Sequence, residues 1–363
     1  MVRREGWNLP NTIRGPILAS SFSKFVFTER WERQSSMFLQ RTIRKPVRID
    51  GIGLHTGAPA SLTFRPAPAN TGIYVVRSDL PGAPHIHVSA EHVRATQLAT
   101  VLGGAAFSVS TVEHCLSSLA ALRIDNLLIE LSGPEIPIGD GSAAVFMEGL
   151  LAAGLIDQDE PRKYAYITQP IFYGDGDKHA YVVPYNGLRI TVTIDFAHPS
   201  IGRQQLDLDI NETTFARDLA RARTFGFLKD VEAMRAKGLA RGGSLENAVV
   251  LDHDSVINPE GLRFADEFVR HKMLDALGDL VTLGMPLMGH VVLYKAGHDV
   301  MNRLVRKILE SSDAYRRVEL GALAPEDLAS TSYNEEFLIA SGNSPFASAT
   351  GLTPTFRNGG NLR

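Results

Sequence analysis

Residues 269–283 read VRHKMLDALGDLVTL, and the spacing of their side chains indicates a helix that carries candidate metal ligands. Apolar residues recur every three or four positions, which predicts an amphipathic helix. Because residues four apart lie on one helix face, His271 and Asp275 point the same way, and Asp279 extends that face. This spacing suits two ligands of one metal ion. From this helix alone, a surface salt link between His271 and Asp275 remains an alternative.

A catalytic zinc site needs about three protein ligands and an open position, so a third ligand must come from elsewhere. His85 and His87 share a face of a candidate strand, but their proline-flanked segment favours an exposed or structural role. His114 is the better candidate because Glu113 precedes it, and a carboxylate beside a ligand can serve as general base. Alternatively, Glu113 closes a helix capping box that begins at Ser110. The local sequence leaves both roles open.

A further histidine and three lysines are candidates for the same chemistry. His298 follows the candidate strand HVVLYKAG, and a histidine at a strand end can act as a general acid or be an ordinary turn residue. Lys178, Lys272 and Lys295 can bind phosphate, although a single lysine is most often solvated. No CxxC, HExxH or Walker motif is present, and no GxGxxG follows a strand, which removes common alternatives.

Length and composition predict a two-domain cytoplasmic protein. The chain has 363 residues, of which 44% are hydrophobic, and its net charge is -3, so bulk charge favours neither nucleic acid nor an anionic membrane. Cys115 is the single cysteine, which excludes a disulfide framework. No apolar run approaches the ~20 residues of a membrane span, and the first residues do not resemble a secretory signal.

The two halves of the chain repeat one pattern of strands, a helix with an early histidine, and an apolar strand. The tripeptides at 112–114 and 269–271 hold corresponding places, which favours an internal duplication that brings both histidines to one domain interface. We predict domains at 37–160 and 161–322, and a loose polar tail at 323–363. Residues 1–36 lack periodicity, so we expect either an unpacked extension or a translation start at Met37, and an aromatic anchor helix is the alternative.

Eight motifs occur in the order found in the UDP-3-O-acyl-N-acetylglucosamine deacetylase family, which this chain resembles over about residues 37–310. They are GLHTG (53–57), RPAPANTG (65–72), STVEH (110–114), IDN (124–126), PEIPIGDGSAA (134–144), RARTFGF (221–227), GLRFADEFVRHKMLDALGDL (261–280) and YKAGH (294–298). The resemblance implies an α+β fold of two similar domains, each a β-sheet packed on α-helices, with the active site between them.

The resemblance also implies a zinc centre and an acid–base pair. Its zinc ligands are His114, His271 and Asp275, and iron(II) also suits such a site. Glu113 is then the general base, and His298 is the acid that assists the leaving amine.

Other roles follow from the same resemblance. Asp279 orients the acid, Thr224 stabilises the oxyanion, and Lys272 lines the site. Lys178 and Phe196 contact the sugar nucleotide, and we place Lys295 with them. Residues 226–264 form an insert whose apolar passage holds the acyl chain, with Phe225 at its mouth.

The implied reaction is hydrolysis of the N-acetyl group of UDP-3-O-acyl-N-acetylglucosamine, which gives UDP-3-O-acyl-glucosamine and acetate in lipid A biosynthesis. The only expected partner is this small-molecule substrate, and we expect a monomer. Two alternatives remain: a zinc amidase of the same fold that acts on another acylated sugar, and a non-catalytic carbohydrate-binding protein. Loss of Glu113 or of a zinc ligand would favour the latter, and all of these residues are present.

Overall fold

A computed structural model describes residues 38–319 of the chain. The predictions for residues 1–36 and 323–363 lie outside the described residues. The strands are β1 (Leu39–Ile43), β2 (Val47–Ile52), β3 (Pro59–Pro66), β4 (Ile73–Arg77), β5 (His85–His87), β6 (Val93–Ala95), β7 (Val101–Gly103), β8 (Ser108–Val109), β9 (Leu127–Ser132), β10 (Leu155–Pro161), β11 (Lys163–Ile167), β12 (Ile171–Asp175), β13 (Lys178–Val183), β14 (Leu188–Phe196), β15 (Gly202–Asp209), β16 (Phe225–Phe227), β17 (Val249–Leu251), β18 (Leu287–Tyr294) and β19 (Tyr315–Glu319).

The α-helical segments are α1 (Glu113–Ala121), α2 (Ala144–Ala153), α3 (Glu212–Thr214), α4 (Leu228–Ala236), α5 (Glu267–Leu280) and α6 (His298–Glu310). The helix predicted from residues 269–283 is α5, which continues into a 3-10 turn. None of the helices within residues 38–319 is long and apolar enough to cross a membrane.

Two sheets of the same topology form the framework. The first has the strand order β2-β3-β9-β4-β5, and the second contains β12-β13-β18-β14-β15. In both, the long central strand runs antiparallel to one neighbour and parallel to the other, and the outer pairs are antiparallel. Strands β11 and β19 extend the second sheet, whereas their counterparts β1 and β10 pair separately. This repeated order matches the predicted internal duplication, and the α+β fold class is confirmed.

Strand alternation places the core between the sheets and the helices. Leu62 and Phe64 of β3 and Ile129 of β9 are fully buried, while the residues between them are more exposed, as the period of two requires. Helices α1 and α5 are buried along most of their length and pack against each other. The contact of these two helices brings residues of both halves into one site. The domain boundary after residue 160 stays a prediction.

Candidate active site

His114, His271 and Asp275 converge where α1 crosses α5. The Nε2 atoms of His114 and His271 lie 3.5 and 3.2 Å from Asp275 Oδ1, and one candidate ligand atom of each residue lies within 4.8 Å of the others. All three side chains are buried, with at most 5% exposed. The surface salt link considered for His271 and Asp275 is therefore wrong, because this pair is enclosed.

The surroundings of the three residues fit a cation. His271 Nδ1 donates to the carbonyl oxygen of Ala222 at 3.1 Å, which leaves Nε2 as a ligand atom. Lys272 Nζ donates to Asp275 Oδ2 at 2.8 Å, whereas the buried Oδ1 has no hydrogen-bond partner among residues 38–319. Burial would raise the pKa of Asp275, but His271 and Lys272 hold it well below its usual range. Two nitrogens and an ionised oxygen form a donor set for zinc.

Glu113 lies beside this centre as a buried carboxylate. Its Oε2 accepts a hydrogen bond from the backbone N–H of Thr100 at 3.1 Å, and its Oε1 lies 3.8 Å from His298 Nε2. Burial raises the pKa of Glu113, and the nearby histidines only partly oppose this.

The predicted capping box at Ser110 is wrong. Helix α1 begins at Glu113 without a side-chain cap, because Ser110 is held in a β-bridge to Glu135. The hydroxyl of Thr111 also donates to Glu135, at 2.9 Å. The Glu113 carboxylate is thus not engaged in a helix cap.

His298 and Asp279 form a hydrogen-bonded pair beside Glu113. His298 Nδ1 donates to Asp279 Oδ2 at 2.7 Å, so Nε2 points towards Glu113. Burial would lower the pKa of His298, but the Asp279 carboxylate raises it to about 9. The side chain is therefore protonated at neutral pH. His298 is the first residue of α6. The alternative that it is an ordinary turn residue is therefore wrong.

Most of the described sequence matches one family of known proteins. The family model described as UDP-3-O-acyl N-acetylglycosamine deacetylase matches residues 40–310. This chain belongs to that deacetylase family.

Three proteins named UDP-3-O-acyl-N-acetylglucosamine deacetylase are similar to it. One from Bdellovibrio bacteriovorus is 69% identical over 286 residues, which are 79% of this chain and 95% of the relative. One from Myxococcus xanthus is 50% identical over 283 residues, which are 78% and 90% of the two chains. One from Shewanella oneidensis is 48% identical over 285 residues, which are 78% and 93%.

The segment with the deacetylase-family motif RARTFGF lies against His271, one of the three candidate ligands. Thr224 follows Arg223 and precedes β16, and its backbone N–H donates to the carbonyl of Gly141 at 2.8 Å. The ring of Phe225 packs edge-on against His271 at 6.4 Å, and Lys272 Nζ lies 5.5 Å from its centroid. Together with the bond from His271 to the Ala222 carbonyl, these contacts place Thr224 between two residues that touch His271.

The candidate substrate-contact residues Phe196, Lys178 and Lys295 differ in their surroundings. Phe196 packs against Phe225, with ring centroids 5.7 Å apart. Lys178 is exposed at the start of β13. Lys295 Nζ lies 3.1 Å from Asp177 and 3.3 Å from Asp195, so its charge is already paired. Phe196 thus contacts the ring that packs on His271, whereas the two lysines lie at the ends of strands in the second sheet.

Two cavities help to delimit the site. One of about 10 Å³, roughly the space of a single water, is lined by Lys272, Asp275, Asp279 and His298 together with four small or apolar residues. A much larger cavity of about 740 Å³ lies at the carboxyl ends of α1 and α5 and includes Arg123. Its lining contains none of the candidate ligands or acid–base residues, so size alone does not locate the chemistry.

Thr100 and the Ala222 carbonyl were not identified from the sequence. Thr100 contacts both Glu113 and Asp279, and Ala222 fixes the ring of His271. Ala222 contributes only a backbone atom, which no side-chain pattern reveals. Thr100 lies far from its partner Asp279 along the chain, and a lone threonine before a short strand carries no distinctive spacing.

Proposed function

We propose that this chain hydrolyses the N-acetyl amide of UDP-3-O-acyl-N-acetylglucosamine to UDP-3-O-acyl-glucosamine and acetate, a step of lipid A biosynthesis. One observation carries the proposal. A buried set of two histidines and an aspartate adjoins the carboxylate of Glu113, whose Oε1 faces His298 Nε2 at 3.8 Å. Amide hydrolysis needs these groups, because the nucleophile must lose a proton and the leaving nitrogen must gain one.

His114, His271 and Asp275 would hold zinc, and iron(II) suits the same donor set. When bound, the ion supplies Lewis acidity, which polarises the amide carbonyl and makes water easier to deprotonate. Lys272 neutralises the outer oxygen of Asp275 and keeps it ionised. Measurement of the metal content would decide between the two ions.

The remaining steps belong to side chains of this protein. The water oxygen bonds to the amide carbon, and Glu113 accepts the proton that this water loses. The Thr224 hydroxyl donates to the oxyanion that develops on the carbonyl oxygen. As the C–N bond breaks, His298 delivers its Nε2 proton to the leaving nitrogen. Asp279 holds Nδ1 throughout and keeps the ring oriented.

The substrate contacts are the part of the proposal that specifies the sugar nucleotide and its acyl chain. Phe196 and Lys178 would contact the sugar nucleotide, and Lys295 could bind phosphate only by leaving its two aspartates. Residues 226–264, with Phe225 at the mouth, would hold the acyl chain. In support, Leu228 and Leu245 of this insert are exposed apolar side chains, 48% and 37% exposed.

The test is an assay of acetate release from UDP-3-O-acyl-N-acetylglucosamine. Mass spectrometry would measure turnover by the wild-type chain and by Glu113→Gln. Glutamine keeps the shape but cannot accept the proton, so kcat should fall by about 10²-fold or more. The metal content should not change, because Glu113 is not a ligand. Unchanged turnover in this variant would contradict the role of Glu113 as base.

Substrate comparison tests the two alternatives. If the wild-type chain hydrolyses another acylated sugar faster, it is an amidase of different specificity. If it binds the sugar nucleotide and releases no acetate, it is a binding protein. We also propose a cytoplasmic location and a monomer, to be tested by fractionation and by light scattering.

A further inference from the structure

Thr100 lies just before β7. Among the described hydrogen bonds, it is the one residue that bonds to both Glu113 and Asp279, the two carboxylates of the proposed acid–base system. Its backbone N–H donates to Glu113 Oε2 at 3.1 Å, and its hydroxyl donates to Asp279 Oδ1 at 2.6 Å. Thr100 is 2% exposed, so water does not compete for either bond.

These two bonds close a ring of contacts. Asp279 bonds to His298 through Oδ2, and His298 faces Glu113 Oε1 at 3.8 Å. Thr100 therefore bonds to Glu113 Oε2 and to Asp279 Oδ1. This leaves Glu113 Oε1 for the reaction and Asp279 Oδ2 for His298. A carboxylate held at one oxygen by a directional donor has little freedom to rotate its other oxygen away.

We propose that Thr100 is a positioning residue that sets the distance and orientation of the general base Glu113 relative to the acid pair Asp279–His298. This inference rests on the proposed function. The hydroxyl acts through Asp279, and the backbone N–H acts directly on Glu113. Thr100 touches no reacting atom, so its removal should slow the chemical step and leave substrate binding unchanged.

The test is the substitution Thr100→Val, which keeps the shape and the backbone N–H but removes the hydroxyl. Loss of a hydrogen bond to a charged group corresponds to at least about a tenfold lower kcat. KM and bound metal should stay at their wild-type values, and Thr100→Ser should restore most of kcat. Thr282→Val is the matched control, because the buried Thr282 hydroxyl donates at 2.6 Å to the backbone carbonyl of Asp279 and not to its carboxylate.

A double variant separates positioning from general damage. With Asp279→Asn in place, Thr100→Val should add less than about a threefold further loss of kcat, because both changes act through the contact of residue 279 with the His298 ring. Independent tenfold effects, or an equal loss of kcat in Thr282→Val, would overturn the inference. If Asp279→Asn lowers kcat and Thr100→Val does not, only the inference fails. If Asp279→Asn leaves kcat unchanged, the proposed acid pair fails as well.

Discussion

Gly278 of α5 lies directly against the main chain of Glu113 at the start of α1. A Cβ atom at Gly278 would overlap the carbonyl oxygen of Glu113 and would stand 2.7 Å from its carbonyl carbon and 2.9 Å from its Cα. All of these are backbone atoms, so no side-chain rotation can relieve the contact. The close crossing of the two helices, and with it the distance from Glu113 to the candidate ligands on α5, depends on this glycine.

Gly278→Ala should therefore destabilise the fold and lower kcat together. In an ordinary helix, alanine is about 1 kcal/mol more favourable than glycine. Here overpacking should cost about 1–3 kcal/mol of unfolding free energy and displace Glu113. Urea unfolding and steady-state kinetics would measure both effects. Gly149→Ala in α2 is the control, since its nearest contact is the flexible end of Ile49 at 3.3 Å. If the two variants behave alike, the helix crossing tolerates a methyl group.

Asp275→Asn should remove metal from the site without unfolding the chain. The amide keeps the shape of the side chain but loses the charge that attracts a cation between His114 and His271. Loss of a residue that only orients a metal ligand lowers activity by up to about 10²-fold. We therefore expect loss of a ligand to lower kcat/KM by at least about 10²-fold. Elemental analysis after mild chelation would report the loss.

Asp266→Asn, at the residue directly before α5, provides the matched control. Asp266 forms an i,i+4 ion pair with Arg270 at the surface side of α5, so its loss should leave metal and turnover unchanged. Full metal occupancy in Asp275→Asn would contradict the assignment of the three ligands.

The raised pKa of His298 predicts a pH dependence of both activity and stability. Activity that requires the protonated ring should decline as pH rises through about 9. Unfolded His298 releases its proton near pH 6.5 and the folded ring retains it until about 9, so its contribution to stability is complete below 6.5 and is lost across this interval. The loss should amount to about 1.4 kcal/mol per pH unit.

Asp279→Asn tests the cause of that raised pKa. Burial then acts on His298 without the facing carboxylate, so the alkaline limb of kcat/KM should move to lower pH. The limbs are properties of the coupled Glu113–His298 system and are measured as such. An alkaline limb that stays at its wild-type position in this variant would show that another group controls it.

The sequence predicts those parts of the site that depend on local periodicity. His271 and Asp275 face the same way because helical spacing alone requires it, and α5 lies where the run VRHKMLDALGDLVTL predicts a helix. The family motifs supplied the remaining candidate ligand, His114, which spacing could not select among eleven histidines.

What the sequence could not predict depends on contacts between distant segments. Serine is a common helix N-cap residue, but Ser110 pairs with Glu135 in a β-bridge, and the helix begins only at Glu113. His298 begins α6 after Gly297, which has extended backbone angles and no capping side chain, so the usual start signal is absent. Thr100 meets Asp279 only because the two halves of the chain pack together.

Arg223 should support the site through a buried ion pair. Its guanidinium donates to both oxygens of the buried Glu267, and it lies between Ala222, which holds His271, and Thr224. Arg223→Met would leave the Glu267 charge buried without its partner, so unfolding free energy should fall by about 3–5 kcal/mol. Because residues 222–224 would loosen, kcat should fall as well. Arg189→Met removes the exposed pair with Asp207 and should cost less than about 1 kcal/mol without affecting kcat. Equal losses in the two variants, measured by urea unfolding, would show that burial of the Arg223–Glu267 pair gives it no special structural role.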